Sequence, residues 1–176
     1  MCDEEYRNTV AEYIRDDSPK IFGNYSRAHA ACVTSAFLNA AQRSVVILSG
    51  SFPHDFYFDE NIGNELRCAI ERVAGNGGKV RIITVDGKKN ETLSALAEES
   101  KGVFEYRAGH YSGNDLAHFM VVDGKRYRLE AVHDKNEKTP EVVRAEVCCN
   151  GVKKADELLS FFNAAWCILT PREEVR

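Results

Sequence analysis

LAHFMVVDGKRYRLEAVH, residues 116–133, holds two alternating runs on either side of Asp123-Gly124. Alternation of apolar and polar side chains is the pattern of a half-buried strand, and Asp-Gly between two such runs signals a hairpin. Matching apolar to apolar pairs Val121 with Tyr127 and Phe119 with Leu129 across a three-residue loop, Asp123-Gly124-Lys125. That register sets Met120 opposite Arg128 and His118 opposite Glu130 on the other face. His133 follows three residues after Glu130, so His118, Arg128, Glu130 and His133 share one end of the hairpin.

Working outward, SVVILSG (residues 44–50) is a continuous β-branched run closed by glycine, as expected of a central strand covered on both faces. KVRIITV (79–85) reads the same way. Between them Ile62, Leu66, Ala69, Ile70 and Val73 recur at helical spacing, and Gly75-Asn76-Gly77-Gly78 ends that helix. Helices are also expected over 4–16, from a Ser26 cap to about Gln42, over 92–100 and over 153–168. Strands are expected near 103–107 and 142–149. Residues 19–25 read as a connector. The order is that of an α/β domain, a mixed β-sheet flanked by helices on both faces. The expected division is a helical extension over 1–25 and one domain over 26–176.

Composition narrows the class. Hydrophobic residues are 44% and charged residues 28%, enough for an ordinary core and too apolar for disorder. The net charge is −4, which excludes a generally basic nucleic-acid coat but not a local basic pocket. No apolar run is long enough to span a membrane. The start, MCDEE, lacks the apolar run of a secretory leader. The six cysteines, Cys2, Cys32, Cys68, Cys148, Cys149 and Cys167, show no Cys-x-x-Cys spacing. They read as small buried hydrophobes in a reducing, cytoplasmic compartment.

Two readings of the hairpin face are open. It is a solvated polar face, or it is a site in which a carboxylate holds a histidine in one tautomer and raises its pKa. In the second reading Arg128 would suit a phosphate or carboxylate, and Lys125 and Arg126 would add local positive charge. His118, Glu130 and His133 do not have a known metal-ligand spacing, so no metal or other cofactor is expected. The loop SFPHDFYFDEN (51–61) places His54 among aromatics beyond the first central strand, where open α/β sheets bind ligands. It is either a rim of the site or a loop packing its own rings. His29 reads as structural.

From Ala40 onward the chain resembles a single phospholipase D-like domain. The likeness rests on AAQRSVVILSGSF, on IGNELRCAIERVAGNGGKVRIITVDG, on VFEYRAGHYSGNDLAHFMVVDGKRYRLE, on PEVVRAEVCCN and on ADELLSFFNAAW. The family signature is a histidine, any residue, a lysine, and an aspartate five residues on, followed later by glycine-serine and an asparagine. Aligned on FMVVDGK, Asp123 takes the aspartate position and His118 the lysine position. Leu116 takes the position of the nucleophilic histidine. Glu130 and Ala131 take the glycine and serine positions, and His133 the asparagine position. The signature is therefore degenerate. The other alignment keeps His118 as nucleophile but puts Met120 and Lys125 on the lysine and aspartate.

The resemblance implies a domain that binds or processes a phosphate-containing ligand, nucleic acid or nucleotide. It also implies a homodimer or a subunit of a larger assembly with a partner protein. His118, Glu130 and His133 are the candidate catalytic residues, and Arg128, Asp123 and His54 the candidate ligand-binding residues. The alternatives are an active phosphodiesterase or nuclease using His118, and an inert interaction module.

Overall fold

The β-branched runs form one sheet and the periodic runs form helices on both of its faces. The structure, a computed structural model, describes residues 2–50, 60–111, 116–130 and 144–169. In chain order the elements are α1 (Glu4–Arg15), β1 (Ile21–Asn24), α2 (Arg27–Ala40), β2 (Ser44–Ser49), α3 (Glu60–Gly75) and β3 (Lys79–Thr84). They continue with α4 (Glu91–Glu99), β4 (Phe104–Ala108), β5 (Phe119–Val122), β6 (Arg126–Glu130), β7 (Ala145–Cys148) and α5 (Val152–Ile168). Asp3, Ser26 and Asn90 cap α1, α2 and α4, each side chain accepting a backbone N–H from the first turn.

The seven strands lie in the order β1-β7-β6-β5-β2-β3-β4. β2, β3 and β4 are parallel, joined through α3 and α4. The remaining neighbours are antiparallel. This is an α/β fold with a mixed sheet, and β2 lies well inside it, as its unbroken apolar run requires.

Alternation along each strand divides the core into two layers. Val45, Ile47, Val80, Ile82, Met120 and Val122 face α1–α4, where Val33, Phe37, Leu66 and Val73 pack on them. Val46, Leu48, Ile83, Phe119, Val121 and Tyr127 face α5, which supplies Leu158, Phe162 and Trp166. The five residues assigned to the inner side of α3 are all buried. No helix among the described residues is long and apolar enough to cross a membrane.

Three expectations change. Residues 19–25 are not only a connector: Ile21–Asn24 form the edge strand β1, paired antiparallel with β7. IFGN has neither the length nor the alternation to announce a strand, and only the free edge of β7 makes it one. Its Phe22 packs edge-on against Tyr6 and Tyr13 of α1, so α1 joins the same core. The cysteines are not uniformly buried: Cys148 and Cys149 are, whereas Cys68 and Cys167 are exposed on α3 and α5. The polar face of the hairpin is not wholly solvated either: Met120 is buried and Arg128 is only 5% exposed.

Candidate functional site

The hairpin pairs as its pattern requires: Phe119 with Leu129, Met120 with Arg128 and Val121 with Tyr127. Asp123 and Gly124 take positive φ in the turn, at 54° and 69°. At the open end the Glu130 amide donates to the His118 carbonyl at 2.8 Å, which sets those two residues side by side. His118 Nδ1 is 4.0 Å from Glu130 Oε1. Arg128 Nη1 donates to Glu130 Oε2 at 3.0 Å, and Arg128 Nε donates to Asn24 Oδ1 at 2.8 Å. Asn24 in turn donates through Nδ2 to the Ser26 carbonyl at 3.2 Å, which fixes which end of its amide faces Arg128. The side chains of His118 and Glu130 are 31% and 15% exposed. The pair therefore stands at the mouth of the network and the guanidinium below it.

This cluster belongs to a polar row that crosses the sheet. Asn24 and Glu130 both pair with Ala145, so the three lie abreast on β1, β7 and β6. One step beyond the Leu48–Phe119 pair, Ser49 stands opposite His118, and Ser49 pairs with Thr84. Thr84 Oγ1 and the Tyr106 hydroxyl are 2.8 Å apart. Of the six buried polar residues among those described, four are in this row or its neighbour: Asn24, Ser49, Thr84 and Arg128. Burying polar groups costs free energy unless they are paired. Their gathering at the carboxyl ends of β2 and β3, where such sheets bind ligands, marks a candidate site.

The site has a supporting glycine and an adjoining groove. A methyl group added at Gly50 would lie 2.7 Å from His118 Nε2. Gly50→Ala is therefore expected to push the imidazole out of the cluster while changing stability by under about 1 kcal/mol, since the clash is with the tip of a side chain rather than with backbone. A changed His118 ring environment in NMR spectra, with the fold intact, is the check. Beside Glu130 a groove of about 590 Å³ opens between β1, β6 and β7, lined among others by Tyr25, Ala117, Leu129, Arg144 and Glu146. That volume suits a small organic ligand. Past Thr84 the β3–α4 loop adds exposed Lys88 and Lys89 to the same edge.

The sequence candidates divide accordingly. His118, Glu130 and Arg128 come together. His133 and His54 lie outside the described residues. Asp123, expected beside the ligand, sits at the opposite end of the hairpin. Its Oδ1 accepts from the Gln42, Arg43 and Ser44 amides at 3.1, 2.7 and 3.0 Å, and Arg126 Nη1 lies 3.3 Å from its Oδ2. Lys125 pairs with Asp17 at 2.6 Å, so Lys125, Arg126 and Arg128 do not form one basic pocket. Asn24, Ser49 and Thr84 were missed. Each is an ordinary polar residue in sequence, and only pairing with a distant strand brings it here. Glu130 already shares its carboxylate with a guanidinium, so the cluster suits an anion or a proton transfer better than a divalent cation.

The fold is phospholipase D-like. Nuc from Salmonella typhimurium, a phospholipase D family member, has a similar fold, with a TM-score of 0.61 at 17% identity over 85% of this chain and 95% of that one. NucT from Helicobacter pylori is similar, with a TM-score of 0.53 at 20% identity over 82% of this chain and 95% of that one. TrmBL2, an archaeal chromatin protein that binds DNA, has a TM-score of 0.63 at 16% identity over 93% of this chain. The chain spans 58% of TrmBL2. No family model matches the sequence.

Proposed function

We propose that this protein binds a phosphate-containing ligand, a nucleic acid or nucleotide, at the open end of the β5–β6 hairpin, as a homodimer or a subunit of a larger assembly. The observation that carries the reading is the buried Asn24–Arg128–Glu130 network holding Glu130 beside His118 at the carboxyl edge of the sheet. In the proposal His118 is the group that meets the phosphate, Arg128 orients Glu130 and supplies positive potential from below, and Arg144 lines the approach. His54 and His133, which lie outside the described residues, are assigned ligand contact as well. A chain of net charge −4 has no general attraction for a polyanion, so affinity must come from such a local pocket. The phospholipase D-like fold and the DNA binding of TrmBL2 support this choice of ligand. The signature is degenerate in this reading, because Leu116 stands where the family's nucleophile would be and cannot attack phosphorus.

A second reading keeps catalysis. His118 would act as base or nucleophile, held by Glu130, with His133 as the acid. It is favoured by the partly exposed imidazole facing a carboxylate that a third group orients. Titration of the full chain with labelled single-stranded and duplex DNA at two salt concentrations separates the readings. The binder is expected to lose affinity as salt rises. His118→Ala and Glu130→Gln are each expected to weaken it about tenfold, or 1.4 kcal/mol. Unchanged affinity in both variants removes the site. Turnover of a phosphodiester ester that disappears in His118→Ala establishes the enzyme. Absence of both binding and turnover leaves the interaction module.

A further inference from the structure

A second cluster of chemically capable groups lies away from the hairpin, where α1 starts against the first turns of α2. Cys2 Sγ, a carboxylate oxygen of Asp3 and a ring nitrogen of His29 all lie within 4.8 Å of one another. His29 Nε2 is 3.4 Å from Asp3 Oδ2. Cys32 follows His29 by three residues, so the two occupy one face of α2, but its sulfur lies outside the group of three. One thiol, one imidazole and one carboxylate thus converge from two segments of chain.

The surroundings hold these groups in place. The His29 ring stacks on Tyr6 with centroids 3.8 Å apart and planes within 5°. The Tyr6 hydroxyl donates to the Gly23 carbonyl at 3.1 Å, so the ring beneath His29 is itself fixed. Arg7 Nη2 donates to the Cys2 carbonyl at 2.9 Å. Asp3 uses Oδ1 to cap α1, accepting from the Tyr6 amide at 2.7 Å, which leaves Oδ2 turned toward His29. That hydrogen bond also lowers the carboxyl's pKa, with a smaller contribution from His29.

We propose that Cys2, Asp3 and His29 form a three-donor site for a divalent ion of the zinc class. The donor set decides the class. Thiolate and imidazole with a single carboxylate favour zinc over magnesium or calcium, which require oxygen donors. Three protein donors leave the fourth tetrahedral position open. Such a clip would pin the start of α1 to α2. Through Tyr6 it would brace β1, the strand that carries Asn24. The sequence hides the site because Cys2-Asp3 and His29 are separated by a helix and a strand, and neither half is a metal motif.

The test uses the full chain, reduced and dialysed, with Zn²⁺ and then Co²⁺ as probes. The wild type is expected to retain one Zn²⁺ per chain and to melt several degrees higher with it than after chelation. The Co²⁺ form should show thiolate-to-metal absorption, which reports the cysteine ligand directly. Cys2→Ser and His29→Ala are each expected to weaken binding at least tenfold with the circular dichroism unchanged. Cys68→Ser, on the exposed face of α3, should bind as the wild type does. No stoichiometric Zn²⁺ in the reduced protein overturns the proposal. So does wild-type binding in both Cys2→Ser and His29→Ala.

Discussion

Asp123→Ala is expected to lower folding stability by about 3 kcal/mol, although Asp123 is far from the candidate site. Its carboxylate accepts backbone amides from Gln42, Arg43 and Ser44, and its own amide donates to the Ser44 carbonyl at 2.9 Å. The hairpin turn is thereby fastened to the first residues of β2. Hydrogen bonds to a charged acceptor are individually strong, about 1.5–3 kcal/mol each. Solvent near Gln42 and Arg43 recovers part of what is lost. Alanine adds a conformational cost of about 1–2 kcal/mol, because residue 123 sits at φ 54°. Asp123→Asn keeps an oxygen acceptor and tolerates that backbone, so about 1 kcal/mol is expected. Asp123→Gly recovers the conformation but not the acceptor, and should fall between the two. Urea unfolding of the three variants provides the order. An alanine variant as stable as the wild type removes the fastening role. DNA affinity unchanged in Asp123→Asn would separate this role from ligand contact.

Arg128→Met is expected to cost about 3–5 kcal/mol, the range for removing one partner of a buried ion pair. Methionine fills much of the same volume, so the loss is electrostatic rather than steric. It leaves Glu130 largely buried without its cation, and it leaves Asn24 Oδ1, on a residue with no exposed surface, without the donor it faces. A second change, Glu130→Gln, removes the orphaned charge and should restore part of the loss, so the two substitutions are non-additive. Asn24→Ala alone should cost less, about 1–3 kcal/mol, since it orphans one neutral contact. The double-mutant cycle is read from urea midpoints at constant slope. Additive costs would mean that Arg128 and Glu130 act separately, and the site would lose its support from below.

How much of this was legible can be argued from the hairpin. Val121, Tyr127, Phe119 and Leu129 alternate on one side of Asp123-Gly124, and a slip of one residue would turn every one of them to the wrong face. The pairing of His118 with Glu130 follows from that constraint, before any coordinates. The two central strands were legible for a related reason: an uninterrupted β-branched run has no polar face to show to water. The interior of α3 was legible from helical spacing.

The rest depended on neighbours. IFGN becomes β1 because β7 presents an unpaired edge, and nothing within those four residues states this. Arg128 looks like a surface residue on an alternating strand, and it is buried beside Asn24 of β1. Asp123 looks like a conserved-type signature position for a ligand, and it faces backbone amides about 80 residues earlier in the chain. Cys2 reads as an isolated small hydrophobe until α1 packs on α2 and brings it to His29.

By itself, then, the sequence determined an α/β fold with a mixed sheet, the register of its central hairpin, and the adjacency of His118 and Glu130. Periodicity and turn chemistry are local, and local patterns suffice for these. Only the tertiary structure decided which polar residues are buried, which strand closes the sheet, and that Asn24 and Arg128 stand beneath the site. Those facts depend on which surfaces meet across long separations, where a strand's pairing and a charge's burial are properties of the partner as much as of the residue.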